Sequence, residues 1–512
     1  MKKYILISIF LLLSNYISYS AYLENYPVEL IQPNGSIIKC FASGDEFYNF
    51  LHTEDGFVIK QADDGYYYYA EKINDSIVPS IYRIQEHNPN LLNLQKWVKP
   101  DISILRENFA NHNQIKEIAF KRKANQIPYT QMAKSGKVNN LVIFVTFSDQ
   151  KEFVDSIGKY DKLMNNEESF SMRHYYRAAS YNQFDVETHF CPLSEDNIVS
   201  IKFDKSRDYF TPYNVTTNPN GYKKYGDRYK REKELLDYVI KKASIEYADI
   251  DVDFDSDNDN QIDNIVFIIR GKAEAWSELL WPHRSWYSGS SKFKGKEVID
   301  YNLILTDIVD NSRYGLGTFC HEFFHSLGSP DLYRYYEEDI APVGVWDLMA
   351  NTNNPPQFMS NLLKYQHTGW VQTLPEITSE GEYFLNPTTS PTNNIYKLKS
   401  PDSDNEFFVL EYRKKEGKYD NNLPGSGLLV YRVDNTKWKE GNAGGPPDEI
   451  YLFRKDGFTN SQGNLNEANL CREVERTSIS DLTNPRLFFA DGSNTGLEIY
   501  DISDCGDIIS FK

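Results

Sequence analysis

The chain has 512 residues, of which 40% are hydrophobic, 14% aromatic and 25% charged. That balance excludes a disordered or collagen-like protein and leaves room for roughly two to four folded units. With 55 basic against 73 acidic residues the formal charge is −18, and no Lys/Arg-rich block offers a face for phosphates, so nucleic acid is excluded as a partner.

At the N-terminus, "MKKYILISIFLLLSNYISYSA" places Lys2 and Lys3 before an apolar run from Tyr4 to Leu13, followed by Ser18 and Ser20. This is the pattern of a secretory signal peptide over residues 1–20, cut after Ser20, and it predicts a secreted protein, extracellular or periplasmic. The run falls well short of the ~20 residues that span a bilayer, and no later segment reads as membrane-inserted. Five cysteines in an exported chain leave at least one unpaired within the molecule, and Cys471 and Cys505 are candidates to bridge the C-terminal region.

Residues 21–135 read as a β-rich unit and linker. Short aromatic strands are separated by Asn34-Gly35, Asp55-Gly56 and Asp64-Gly65, each a turn signal. The stretch "NQIKEIAFKRKANQ" reads as a helix leading into a linker, with the basic cluster Lys121, Arg122 and Lys123 open to a trypsin-like protease. From 136 to 372 the pattern becomes α/β. "NNLVIFVTFSD" and "NIVFIIR" are continuous apolar runs of the kind buried strands show, and "DRYKREKELLDYVIKKASIEY" puts Leu235, Leu236, Val239 and Ile240 on one helix face. Residues 373–512 return to strands such as "EFFVLEYRKK" and "GSGLLVYRVD", predicting an all-β, sandwich-like C-terminal domain.

The chemistry lies in "CHEFFHSLGSPDLY", Cys320 to Tyr333. On a helix, His321 and His325 are one turn apart and project from the same face. Two imidazoles so placed can bind one tetrahedral zinc, with Glu322 beside it as general base. Gly328 can take a positive φ that ends the helix, and Asp331 can return as the third ligand, leaving a fourth position for water. Bound zinc lowers the pKa of that water from ~15.7 to about 7, so a carboxylate can deprotonate it for attack on a carbonyl.

A second acidic loop, "DFDSDNDNQIDN", spaces Asp255, Asp257, Asp259 and Asp263 as positions 1, 3, 5 and 9 of an EF-hand-like site, with the Gln261 carbonyl at position 7. Calcium is the expected ion. Asn260 stands where that loop carries glycine and Val266 where it carries glutamate, and the strand that follows excludes a helix–loop–helix. Asn34, Asn74 and Asn214 begin N-x-S/T triplets, acceptors only in a glycosylating host.

"HEFFHSLGSPDLY" followed by "VGVWDLMA" resembles the immune inhibitor A family of secreted, metzincin-type zinc peptidases, and so do "GDEFYNFLHTEDGFVIKQADDGYYYYA", "LVIFVTFSD", "DFDSDNDNQIDNIVFII", "WPHR" and "GSGLLVYRVD". The resemblance implies a metzincin-like α/β catalytic domain, an endopeptidase acting on proteins or peptides, and a zymogen in which residues 21–135 are an inhibitory prosegment. It also implies that Met349 is a Met-turn residue beneath the histidines. Some metzincins place a tyrosine two residues after that methionine, where Asn351 stands here, so the oxyanion stabiliser is unassigned. Two weaker signals are Cys40, a thiolate able to reach zinc in a latent form, and His283 of "WPHR", a candidate cleft residue. The rival from another class is a secreted binding protein or adhesin that keeps the fold without turnover.

Overall fold

The computed structural model describes residues 22–512 apart from 46, 112–113, 115–130, 169, 192–196, 273–277 and 337–339. The expected signal peptide and the cluster Lys121–Lys123 lie outside the described residues, as does the expected helix over 113–126 but for Gln114.

The N-terminal unit is an antiparallel meander of six strands in chain order: β1 (Leu23–Ile31), β2 (Ile37–Gly44), β3 (Asn49–His52), β4 (Val58–Gln61), β5 (Tyr67–Ile73) and β6 (Ser76–Arg83). The three expected turns join β1 to β2, β3 to β4 and β4 to β5. At the second turn Gly56 has φ +87°, and a Cβ there would meet the Trp97 ring at 2.3 Å. Glycine is therefore needed both for backbone sign and for space. A helical stretch over 102–111 follows.

The middle unit is built on a second sheet whose strands run in the order His283–Trp286, Asp300–Leu305, Asn264–Ile269, Gly136–Thr146 and Phe184–Cys191. Only the edge pair of His283–Trp286 with Asp300–Leu305 is antiparallel; the other neighbours, including the short Ile201–Lys202 against Gly136–Thr146, are parallel. The two expected apolar runs are its central strands, and Asn264–Ile269 is buried at every position. Side-chain alternation then divides the core. Val142, Phe144, Val266, Ile268 and Ile304 pack with Phe319, Phe323 and Phe324 of the motif helix Gly315–Ser326. Leu141, Ile143, Ile265, Phe267 and Leu303 share the other cluster with Leu235, Leu236, Val239 and Ile240 of helix Tyr225–Glu246 and with the inner face of the N-terminal sheet. Each large apolar side chain buried in this way contributes about 1.5–3 kcal/mol.

The C-terminal region is a five-stranded sheet in the order Glu376–Ile377, Tyr396–Lys399, Glu406–Arg413, Gly427–Asp434 and Ile450–Leu452, with two small two-stranded ribbons. It differs from a free-standing sandwich because both of its faces are covered. Phe407, Val409, Tyr431 and Val433 join the core of the motif helix, whereas Phe408, Leu410, Leu428 and Val430 pack under the chain's last hundred residues. The boundary expected at 372/373 therefore runs through one shared core.

Candidate metal centre

The motif helix is apolar on nearly all sides and every one of its twelve residues is buried. A helix of that kind must be enclosed by partners. A ladder of buried amides crosses the three central strands to hold it: Asn264 Nδ2 donates to Asn140 Oδ1 (2.7 Å) and to Asn302 Oδ1 (2.9 Å), and Asn302 Nδ2 donates to the Glu322 carbonyl (3.0 Å). Ser326 Oγ closes it by donating to Asn264 Oδ1 (3.1 Å). Sequence reasoning missed this ladder, since one asparagine per strand carries no motif.

The helix ends as expected. Gly328 has φ +99°, its N–H reaches the His325 carbonyl (2.8 Å), and a Cβ there would meet the Gln131 amide nitrogen at 2.7 Å. The reversed chain returns Asp331 to the histidines. His321 Nε2 and His325 Nε2 are 3.0 Å apart, and Asp331 Oδ1 lies 3.1 Å from the first and 3.4 Å from the second. His321, His325, Glu322 and Asp331 are each at most 1% exposed.

The far side of each ring fixes its tautomer. His321 Nδ1–H donates to the Leu348 carbonyl (3.0 Å) and His325 Nδ1–H to the Ser329 carbonyl (2.7 Å). Each neutral ring therefore turns the lone pair of Nε2 inward, and a carboxylate oxygen faces both. With both rings neutral, three electron-rich atoms gathered in a dry interior repel one another unless a proton or a metal ion lies between them. A tetrahedral ion with ligands at ~2.0–2.1 Å would set ligand edges of about 3.3 Å, close to the spacing found. The donor set thus fits zinc. Burial pulls the His321 pKa down, but the Asp331 carboxylate outweighs it and raises it to about 9, whereas burial lowers His325 to about 4.

The turn containing Met349 stitches both ligand segments together. Met349 is fully buried; its N–H donates to Asp347 Oδ1 (2.8 Å), and its carbonyl accepts from Leu332 N–H (2.8 Å), next to Asp331. With the Leu348 carbonyl on His321, this turn supports two candidate ligands through its backbone, a role the residue types alone did not reveal. Tyr335, also unforeseen, donates its hydroxyl to Asp331 Oδ2 at 2.6 Å. Its ring is stacked on Phe47 (centroids 4.7 Å) and edge-on to Phe109 (5.2 Å), both from the N-terminal unit.

Cys40 is not brought to this centre. It is buried in β2 opposite Val28, and burial pushes its thiol up to about 12, so it offers no thiolate. His283 is packed as well, with Nδ1 on the Trp281 carbonyl (2.6 Å) and Nε2 on Glu232 Oε1 (3.0 Å).

In the acidic loop, ligand oxygens of Asp255, Asp257 and Asp259 lie within 4.8 Å of one another. Asp255 accepts from the Asp259 N–H (2.8 Å) and the Asn260 N–H (3.0 Å) and pairs with the Lys296 ammonium. Asn258 and Asn260 take φ +62° and +67°, the conformation that glycine would have supplied. Asp263 is not gathered with these three; it accepts from the Ser256 N–H (3.2 Å) and Oγ (2.9 Å), and burial raises its pKa to about 6. The Gln261 side-chain amide donates to Asp259 Oδ2 (3.0 Å). Cys471, Glu473 and Cys505 form a third group of the same kind.

No protein-family model matches the chain, and no curated protein matches it. Among solved structures, wild-type OgpA from Akkermansia muciniphila is 11% identical, covering 62% of this chain and 88% of that one at a TM-score of 0.24. A likeness at that level carries no argument about fold or activity.

Proposed function

We propose that the protein is a secreted, metzincin-like zinc endopeptidase that hydrolyses peptide bonds of proteins and is made as a zymogen. One observation carries the reading. Three buried ligand atoms converge at tetrahedral spacing, both imidazoles are held in the metal-binding tautomer, and Glu322 follows the first of them.

His321, His325 and Asp331 would hold the zinc. When bound, it supplies a Lewis acid that acidifies water and polarises the scissile carbonyl. Glu322 accepts a proton from the attacking water and delivers it to the departing amine nitrogen, first as general base and then as general acid. The Leu348 and Ser329 carbonyls keep the rings in register, and Tyr335 keeps Asp331 turned inward.

Latency rests on the N-terminal unit. Tyr22 packs against Tyr333, and Phe47 and Phe109 against Tyr335, so residues 22–111 cover the segment that carries Asp331. The same unit is pinned elsewhere by Tyr314 Oη on the Glu24 carbonyl (2.6 Å) and by Arg313 on Glu24 (3.0 Å). Export follows from the N-terminal pattern; among the described residues no helix is long and apolar enough to cross a membrane. Calcium in the 255–263 loop is the second part of the proposal and braces the turn into strand Asn264–Ile269.

The test is metal analysis with turnover. The purified chain, cut within 115–130 to release the prosegment, should carry one zinc, cleave an internally quenched peptide mixture, lose activity to a chelator and regain it with zinc. A chain that binds zinc but leaves every peptide intact would favour the adhesin reading.

A further inference from the structure

The metal reading gives Asp331 one oxygen toward the histidines, and Tyr335 occupies the other. Asp331 Oδ1 faces His321 and His325, whereas Oδ2 accepts from the Tyr335 hydroxyl at 2.6 Å. A carboxylate hydrogen-bonded through its outer oxygen is held with its other oxygen facing inward, which is how outer-shell partners fix a ligand and tune its affinity. Tyr335 is 2% exposed, and its backbone is anchored to the Ala443 carbonyl (3.3 Å).

The walls around its ring come from a different part of the chain. Phe47 follows the end of β2 and stacks on the Tyr335 ring at 4.7 Å; Phe109 lies in the 102–111 helical stretch and meets it edge-on at 5.2 Å; the two phenylalanines also touch each other at 4.8 Å. Phe109 extends the contact to Tyr336 (5.9 Å), and Tyr22 to Tyr333 (5.8 Å). An N-terminal unit whose only task was to block substrate would need no contact with a residue bonded to a metal ligand. We propose that Tyr335 is the positioning residue through which residues 22–111 act on the metal centre: Phe47 and Phe109 seat its ring, and its hydroxyl holds Asp331 in one-oxygen ligation. The inference rests on the zinc assignment above. Removal of the N-terminal unit then uncovers the cleft and frees the ring that steadies Asp331, so the zymogen holds zinc more tightly than the processed enzyme.

The experiment measures zinc retention by the full chain in competition with a chromogenic chelator, alongside near-ultraviolet circular dichroism to establish that each variant is folded. Tyr335→Phe keeps the ring and removes the hydroxyl; it should weaken zinc binding ~10–100-fold. Phe47→Leu with Phe109→Leu keeps apolar volume while removing the stacked seat, and should weaken binding in the same direction. The two changes combined should do no more than Tyr335→Phe alone, because both act through one hydroxyl. Additive losses, or zinc retention by Tyr335→Phe equal to wild type, would overturn the proposal. His325→Ala separates the two claims. If that variant loses zinc while Tyr335→Phe does not, the zinc centre stands and the Tyr335 coupling falls; if wild type itself binds none, the metal reading falls first.

Discussion

Of the three side-chain groups among the described residues that could ligate a metal, the His321 centre and the 255–263 loop are held in different ways. At the His321 centre the supports come from near and far in the chain: the Ser329 carbonyl on His325 and Tyr335 on Asp331 are each four residues away, whereas the Leu348 carbonyl on His321 and the Asn302 amide on the helix backbone at Glu322 are 27 and 20 residues away. In the 255–263 loop the carboxylates are held by their own neighbours, Asp255 by the N–H groups of 259 and 260 and Asp259 by that of Gln261. The first set is dry and its geometry is imposed by the whole fold. The second is partly open, with Asp257 exposed, and Lys296 already neutralises part of its charge. Catalysis needs the first kind of support, because a reacting site tolerates little misplacement. A loop that braces a strand can be assembled locally.

Changes that break this contrast should rank accordingly. His325→Ala removes a ligand whose position no neighbour can replace, so zinc content should fall to background by metal analysis and peptide cleavage should vanish. Asn302→Ala leaves the ligands in place but removes the amide donated to the Glu322 carbonyl and to Ser326. Losing these buried hydrogen bonds should lower stability by about 1–3 kcal/mol in urea unfolding, with zinc retained. Asp257→Asn combined with Asp259→Asn should abolish a calcium-dependent rise in Tm while zinc content stays at one per chain. The smallest effect runs the other way. Lys296→Met removes the cation paired with Asp255, so calcium titration should show a tighter loop, and an unchanged midpoint would mean that the carboxylates do not bind the ion together.

How far the sequence was legible follows the same division. Features with local periodicity or spacing could be read directly: the three turns of the N-terminal sheet, the apolar strands at Gly136–Thr146 and Asn264–Ile269, the motif helix, and its end at Gly328. The asparagine ladder, the Leu348 and Ser329 carbonyls and Tyr335 could not. Each is a common residue or a backbone group with no motif of its own: the ladder and the Leu348 carbonyl join segments distant in the chain, and the Ser329 carbonyl and Tyr335, though four residues from their partners, depend on how the chain turns after the motif helix. The C-terminal sheet was recognisable as strands, but its burial on both faces was hidden, although the unbroken apolar runs in 406–413 and 427–434 are what strands enclosed on two sides show. For Cys40 the limit was chemical. A thiol sealed in a sheet cannot ionise readily, and sequence carries no measure of its burial.

The measurement that tests the central claim most directly is turnover of a quenched peptide by the processed enzyme, wild type against Glu322→Gln, with zinc content determined on the same samples. The account predicts one zinc per chain in both and a kcat lower by ~10²–10⁴-fold in the variant, the contribution of a positioned general base and acid. Equal turnover by the two proteins with zinc in place would contradict it.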